Sequence, residues 1–186
     1  SGSMMGLLRE GNKVWFTEAL NPNRKLKYTL QIVEVSGEKV GVNTHLTNKI
    51  VLEALKNNTI KGFTKTIKIK PETKFGKNTR FDFFLDDNKK QIFLEVKNVT
   101  LVRKKELAEF PDAVTERGRK HLNELINAAK LGYEAYILFV IQREKCSNFK
   151  IAKDIDPKYF DILTDSLKKN VKLLCYDCKF NSKGIK

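Results

Sequence analysis

The sequence predicts a mixed α/β (α+β) protein in which a small β region precedes a larger domain with αβββαβ order. Residues 12–44 contain short apolar runs separated by turn residues, a pattern typical of antiparallel strands. Near residue 47 the hydrophobic period changes to that of a helix. Residues 136–141 form an unbroken apolar run directly after a helical pattern, which indicates a buried strand paired in parallel after a crossover. We therefore expect two domains, at 1–45 and 46–186, packed closely without a Gly/Ser linker.

Three strands are predicted in the first region because turn residues separate its apolar runs. The segments 21–23 and 36–39, rich in Asn, Pro, Ser and Gly, supply the turns. The predicted strands cover residues 14–16, 28–35 and 40–42. Short strands joined by tight turns favour a small barrel or part of a sandwich.

The second region begins with a helix and continues with three strands. Apolar residues at 50, 51, 54 and 55 form one stripe of a helix, and Thr47 or Asn48 is suited to cap its N-terminus. Alternation and turn residues then predict strands at 63–69, 81–85 and 92–96. A helix at 115–130 is followed by Gly132, a common C-terminal signal. The last elements are a strand at 136–141, a helix at 157–169 and a strand at 171–176.

The composition indicates a globular, strongly basic protein. There are 36 Lys+Arg against 22 Asp+Glu, so the formal net charge is +14. This charge favours a polyanionic partner, with nucleic acid ahead of a membrane, although a lysine-rich surface can also reflect the composition of a whole proteome. No apolar run approaches the ~20 residues of a membrane span. The three cysteines, including the pair Cys175 and Cys178, are expected to be ordinary reduced thiols in a cytoplasmic protein.

Asp82, Glu95 and Lys97 are the best candidates for chemistry. Side chains at i and i+2 of a strand point to one face, so Glu95 and Lys97 are neighbours, and a hairpin turning at 86–90 can bring Asp82 alongside Glu95. Two carboxylates with a backbone carbonyl, that of Val96, form a hard oxygen site suited to Mg²⁺ or Mn²⁺. A lysine beside the metal can help to deprotonate a water or neutralise charge on a phosphate. These groups are the minimum set needed for metal-assisted phosphodiester hydrolysis.

A surface ion pair on a half-exposed strand is the alternative interpretation of Glu95 and Lys97. Their charges interrupt the apolar run at 92–96, where an unpaired charge would be costly, and this favours a functional site.

Four sequence blocks closely resemble the sugar fermentation stimulation protein A family. They are TRFDF at 79–83, EVKNVTL at 95–101, FPDAVTERG at 110–118 and KHL at 120–122. The resemblance covers nearly the whole chain. It implies an OB-like domain, then a domain of the PD-(D/E)xK restriction-endonuclease-like superfamily. It also implies that the protein binds DNA and has a poorly defined role in sugar metabolism. By position it assigns Asp82, Glu95 and Lys97 to the nuclease triad, and it points to Glu53 as an additional acidic ligand.

The first residues bear on the OB-like domain. Ser1-Gly2-Ser3-Met4 is either an expression remnant or the counterpart of a similar segment inside the family's OB-like domain. In the second case the chain lacks the first strands of that domain, and three strands cannot close a five-stranded barrel.

A basic segment surrounds the start of the helix at 115–130. Because helix N-termini favour phosphate, this segment is predicted to be a mobile lid that grips the phosphate backbone over the metal site; a solvated basic face is the alternative. His121 either approaches the site from the helix or is a packing residue. The basic residues are Arg103, Lys104, Lys105, Arg117, Arg119 and Lys120.

The expected partner is DNA, with RNA as a further option, bound largely without sequence specificity. A non-catalytic regulator of sugar metabolism that binds nucleic acid and keeps the nuclease fold is the alternative. The oligomeric state is open, with a homodimer as one option. Trp15, Phe16, Tyr28 and Phe63 either stack bases or belong to the core.

Overall fold

The structure is a computed structural model that describes residues 3–19, 21, 23–63, 68–181 and 184–185. The mixed α/β fold class is confirmed. The helices are α1 (Thr44–Lys56), α2 (Glu116–Lys130) and α3 (Pro157–Lys168). The strands are β1 (Val14–Glu18), β2 (Tyr28–Val35), β3 (Glu38–Gly41), β4 (Lys68–Phe75), β5 (Thr79–Asp86), β6 (Gln91–Val99), β7 (Leu101–Lys104), β8 (Leu107–Phe110), β9 (Glu134–Ile141), β10 (Asn148–Ile151), β11 (Val171–Asp177), β12 (Phe180–Asn181) and β13 (Gly184–Ile185).

The N-terminal strands form a three-stranded antiparallel sheet in the order β1-β2-β3. Alternate side chains of β2 and β3 point to one face, where Val33 and Val40 pack with Val42 and Leu7 in a small core. Ser36 and Gly37 both have positive φ, which is the geometry of a tight hairpin turn between β2 and β3.

A five-stranded sheet in the order β11-β9-β6-β5-β4 forms the centre of the molecule. β4, β5 and β6 are antiparallel, whereas β6, β9 and β11 are parallel. The predicted crossover is therefore confirmed, because α2 lies in the connection that leads to β9. The sheet is covered on both faces: Leu122 and Leu125 of α2 pack with Phe93 on one side, and Val51 of α1 packs with Leu94 on the other.

The predicted strand at 63–69 is wrong in its position. The observed β4 covers Lys68–Phe75, and residues 64–67 lie outside the described part of the chain. β4 is an edge strand with a mostly exposed, polar sequence that includes Pro71. Only its pairing with β5 identifies it as a strand, and an edge strand tolerates proline because one side of its backbone needs no partner.

The predicted lid is instead a hairpin within a small sheet. β7 and β8 are antiparallel, and β10 pairs with β8 in parallel. Arg103 stabilises this sheet because its guanidinium donates to both oxygens of the Glu109 carboxylate, at 2.7 and 2.8 Å. Leu101 of β7 and Ala108 of β8 are buried. The basic segment is therefore a regular, packed part of the fold rather than a mobile lid.

The N-terminal sheet contacts the larger domain through β3. The Gly41 N–H donates to the carbonyl of Gln142 at 2.9 Å, and the buried Arg143 forms an ion pair with Glu38. Gly41 is required for this approach because a Cβ at that position would lie 2.3 Å from Oε1 of Gln142. In the described residues, no helix is both long enough and apolar enough to cross a bilayer.

Candidate metal-binding and catalytic site

The site lies where β5 and β6 separate. Their ladder runs from Asp86↔Gln91 to Phe83↔Leu94 and does not continue to Asp82 and Glu95. In place of a backbone partner, the Val96 N–H donates to Oδ2 of Asp82 at 2.7 Å. Asp82 therefore occupies the gap between the two strands and lies beside Glu95, as the hairpin geometry predicts.

The Asp82 carboxylate is held by two donors in a largely buried position. Asn48 of α1 donates from Nδ2 to Oδ1 at 2.8 Å, and the Val96 N–H bonds the other oxygen. Burial, followed by repulsion from Glu95, raises the pKa of Asp82 from 3.8 to about 6, despite these hydrogen bonds. The ionised carboxylate is thus under electrostatic strain that a cation would relieve.

Glu95 lies between a lysine and a histidine. Its Oε1 accepts from Nζ of Lys97 at 2.6 Å and is bonded to Nδ1 of His121. Its Oε2 is buried and has no hydrogen-bond partner among the described residues. Burial raises the pKa of Glu95, but the charge of Lys97 and the contacts with His121 outweigh this and hold the pKa below its usual value. Glu95 is therefore an ionised carboxylate whose Oε2 has no hydrogen-bond donor among the described residues.

Helix α2 positions His121 against Glu95. Its N-cap is Thr115, whose side chain accepts from the Gly118 N–H at 3.0 Å. Gly118 packs tightly, because a Cβ there would lie 2.8 Å from Oγ1 of Thr115 and 3.1 Å from Cε2 of Tyr159. His121 is buried one turn after Gly118. The first turn of α2 therefore fixes the histidine at the site.

The residues fit a hard divalent cation. Two neighbouring carboxylates, one with a buried unpartnered oxygen, form the oxygen-rich donor set that Mg²⁺ or Mn²⁺ prefers. In a strand the N–H and C=O of one residue point to the same side, so the Val96 carbonyl faces the same gap as its N–H. Within the described residues no group of three or more His, Cys, Asp or Glu side chains is placed to hold a metal. The candidate site therefore depends on two carboxylates and a carbonyl.

Comparisons with known proteins decide the family. Residues 45–184 match the family described as the sugar fermentation stimulation protein RE domain, and residues 1–42 match the SfsA N-terminal OB domain. The chain belongs to the sugar fermentation stimulation protein family. The resemblance found in the four sequence blocks is thereby confirmed, and the N-terminal sheet corresponds to the family's OB domain.

The relatives in this family are similar over the whole chain. A sugar fermentation stimulation protein homolog from Pelagibacter ubique is 54% identical over 186 residues, which is 100% of this chain and 80% of that protein. The homolog from Brucella anthropi is 42% identical with the same coverage. The solved structure of Pyrococcus furiosus SfsA in complex with Ca²⁺ has a TM-score of 0.87 and 27% identity, and the match covers 96% of this chain and 76% of that one.

Glu53, the additional acidic ligand suggested by the family resemblance, does not join Asp82 and Glu95. It is exposed on α1 and lines a separate groove with Ile50 and Asn57. The residue that α1 brings to the site is Asn48, five positions earlier and about 140° away around the helix at 3.6 residues per turn. The sequence predicted Asn48 only as an alternative N-cap; the observed N-cap is Asn43, whose side chain accepts from the His45 N–H.

The predicted phosphate-gripping residues divide into paired and exposed groups. Arg103 is bound by Glu109 and by Asp154, so its guanidinium already has acceptors. Arg119 is mostly buried and pairs with Asp156 at 3.1 Å. These two residues support the fold rather than present a free charge. Four further members are exposed: Lys104, Lys105, Arg117 and Lys120. Of these, Lys120 donates to the Asn78 carbonyl at 2.8 Å, and Nζ of Lys105 lies 3.7 Å from Oε1 of Glu106.

The aromatic candidates have mixed environments. Phe16 and Tyr28 are 58% and 57% exposed and form an edge-to-face pair with ring centroids 5.0 Å apart. Trp15 is half-buried with Lys13 over its ring, and Phe63 packs on Tyr136. The sequence left stacking and packing open for all four residues, and of the four only Phe16 and Tyr28 are exposed.

The cysteines are free thiols, as predicted. Cys146, Cys175 and Cys178 form no disulfide. Burial raises the pKa of all three, to about 11 for Cys146 and Cys175 and to about 12 for Cys178. Thiols with such pKa values are poor nucleophiles at neutral pH.

Proposed function

We propose that this chain is a divalent-metal-dependent phosphodiesterase of the PD-(D/E)xK type that binds and cleaves DNA with little sequence specificity. The observation that carries the proposal is the buried, unpartnered Oε2 of Glu95 beside Asp82, with Lys97 on the other oxygen of the same carboxylate. A buried carboxylate oxygen without a donor costs roughly 1–3 kcal/mol or more, so such a position is seldom retained without a use.

Each residue has a definable role. Asp82 and Glu95, with the Val96 carbonyl, would hold the cation, which when bound polarises a phosphate and lowers the pKa of a coordinated water. Lys97 orients Glu95 through the 2.6 Å contact and carries a positive charge that can stabilise the developing charge on a phosphate or guide the attacking water. His121 contacts the same oxygen of Glu95 as Lys97 does, which leaves Oε2 as the available oxygen.

A divalent cation is also supported by a relative. The Pyrococcus furiosus protein was solved in complex with Ca²⁺, a cation that takes oxygen ligands as Mg²⁺ does. Ca²⁺ tolerates looser geometry than Mg²⁺, so we expect Ca²⁺ to bind this chain as well and to support little or no cleavage.

DNA is the proposed substrate because the chain is strongly basic and the phosphodiester groups of DNA are negatively charged. The net charge is +14, and Lys104, Lys105 and Arg117 are exposed at the turn of the β7–β8 hairpin and at the start of α2. Contacts of lysine and arginine with phosphates bind any sequence and weaken with salt. RNA could be bound through the same contacts.

The test is a cleavage assay on single- and double-stranded DNA and on RNA, with Mg²⁺, Mn²⁺, Ca²⁺ or EDTA. We expect the wild type to cleave DNA with Mg²⁺ or Mn²⁺ and not with EDTA. Lys97→Ala and Glu95→Gln should each lower kcat by about 100-fold or more, because each removes a group that acts in the transition state. Arg103→Ala should retain kcat, because its charge is already bound by Glu109.

Two results would count against this function. Cleavage that persists unchanged in both Lys97→Ala and Glu95→Gln would show a contaminating or different activity. Retention on DNA without turnover under any metal condition would replace the catalytic proposal with a nucleic-acid-binding module.

A further inference from the structure

The side-chain amide of Asn48 is the contact through which α1 reaches the site. It donates to Oδ1 of Asp82 at 2.8 Å, while the Val96 N–H donates to Oδ2 at 2.7 Å. Each carboxylate oxygen therefore has one fixed donor, and the two donors define the plane of the carboxylate. Each oxygen also keeps a second lone pair, directed away from its donor.

We propose that Asn48 is a positioning residue that orients the Asp82 carboxylate for the divalent cation; this inference rests on the metal site of the proposed function. Partners that hydrogen-bond metal ligands fix the orientation of those ligands, and their loss typically lowers metal affinity 10–100-fold. Asn48 acts through Asp82 and needs no contact with the cation or the substrate.

Asn48 is well placed for this role because its neighbour in the helix is anchored. Thr47 is buried, and its Oγ1 accepts from Nε2 of Gln142 at 2.8 Å. The same Nε2 donates to Oδ1 of Asn98 at 2.6 Å, and Asn98 follows Lys97 in β6. One buried amide thus ties the helix turn next to Asn48 to the strand segment next to Lys97.

The amide is suited to the position because it donates without adding charge. Asp82 and Glu95 already repel each other, so a third carboxylate from α1 would add to the repulsion in the absence of cation. The nearest acid on α1, Glu53, faces a different groove. Asn48 therefore supplies a hydrogen bond where an acidic residue would supply only more negative charge.

The experiment measures Mn²⁺ binding to the full chain by electron paramagnetic resonance of the free ion. We expect Asn48→Ala to weaken binding about tenfold or more, and Asn48→Gln, which keeps an amide donor, to recover most of the affinity. Lys49→Ala, an exposed neighbour on the same helix, is the matched control and should bind within about twofold of the wild type. Alanine favours helix, so Asn48→Ala should stay folded, and circular dichroism of the metal-free protein checks this.

If Asn48 only supported the fold, Asn48→Ala would not lower kcat selectively while leaving KM for DNA unchanged. In the cleavage assay, Asn48→Ala should lower kcat at fixed Mn²⁺ with KM for DNA unchanged, and high Mn²⁺ should restore part of kcat. Folded Asn48→Ala that binds Mn²⁺ as tightly as the wild type overturns the inference. So does Asn48→Gln that is as weak as Asn48→Ala, or a Lys49→Ala control that is equally weak. Failure of the wild type to bind Mn²⁺ overturns the proposed metal site itself, and the inference with it.

Discussion

At the scale of single residues, the site is a set of carboxylates held in unfavourable environments by fixed donors. Asp82 is largely buried next to Glu95, and Glu95 keeps one oxygen without a donor among the described residues. Such arrangements reduce the stability of the metal-free fold and are typical of functional sites, where binding of the ligand supplies the missing partner. The stability of the metal-free protein should therefore depend on pH through Asp82.

Asp82→Asn is expected to stabilise the metal-free protein at neutral pH. The pKa of Asp82 is raised from 3.8 to about 6 in the folded protein, so well below pH 3.8 the group is protonated in both the folded and the unfolded state and does not lower stability. Between pH 3.8 and about 6 the carboxyl ionises in the unfolded chain but stays protonated in the folded protein, so the free energy of unfolding falls as pH rises. Above about pH 6 the whole destabilisation by the buried charge is present. Asn carries no charge, so the free energy of unfolding should rise by about 1–3 kcal/mol at pH 7.5 and by only about 0.5 kcal/mol at pH 4.

Urea denaturation in EDTA at the two pH values checks this expectation. Asp161→Asn, at an exposed position of α3, is the control and should change stability little at either pH. An Asp82→Asn variant that is less stable than the wild type at pH 7.5 would mean that the two hydrogen bonds outweigh the buried charge.

At the scale of elements, two helices and a strand gap define the site. α1 supplies Asn48 and α2 supplies His121, from opposite faces of the sheet, while the separation of β5 and β6 makes room for Asp82. Close packing of the first turn of α2 is the most sensitive part, because Gly118 lies against its own N-cap and against Tyr159. A change there should affect both stability and the position of His121.

Gly118→Ala is expected to destabilise the fold although alanine favours helix. The added Cβ would lie 2.8 Å from Oγ1 of Thr115 and 3.1 Å from Cε2 of Tyr159, so the cap and the buried ring must shift. Overpacking costs about 1–3 kcal/mol, which exceeds the gain of about 1 kcal/mol from helix propensity. Thermal or urea unfolding measures the difference.

Asn127→Ala is the matched control on the same helix. Asn127 is exposed, so this substitution should leave stability unchanged or raise it slightly. Gly118→Ala that equals or exceeds the wild type in stability would show that Thr115 and Tyr159 adjust without cost.

At the scale of the whole molecule, the charge is distributed over a packed structure in which part of it is already neutralised. Arg103, Arg119 and Arg143 each have acidic partners within the fold. The net charge of +14 therefore overstates what a polyanion can contact, and the exposed lysines and arginines near the hairpin turn and the start of α2 are the relevant ones.

DNA affinity should fall steeply with salt, and single exposed charges should account for part of the slope. Lys104→Ala and Arg117→Ala should each reduce the slope of log K against log salt by about 0.9, because each removes one phosphate contact on duplex DNA. Lys90→Ala should leave the slope unchanged, because Lys90 is paired with Glu134 at 2.7 Å beyond the opposite end of β6. Fluorescence anisotropy at several salt concentrations gives the slopes, and equal slopes for all variants would exclude these contacts.

Local patterns were enough to predict much of the fold and the centre of the site. The i, i+2 spacing of Glu95 and Lys97 and the short hairpin before them place three groups together through neighbouring strands, which is information contained within 16 residues of sequence. The apolar run at 136–141 likewise identified a central parallel strand. The edge strand β4 was misplaced because its sequence is polar and its pairing with β5 defines it.

Only the tertiary structure decided which residues far apart in the chain are in contact. Asn48 lies 34 residues from Asp82, and His121 lies 26 residues from Glu95. Which side chain of α1 faces the site depends on how the helix is rotated against the sheet, and that rotation is set by the packing of Val51 and Leu55 and by the Thr47–Gln142 contact. Sequence by itself predicted the fold class and the Asp82–Glu95–Lys97 grouping, because these depend on local periodicity and spacing, and four sequence blocks indicated the family. Packing determined the partners of those carboxylates, because a helix can present any of its faces until the core fixes one.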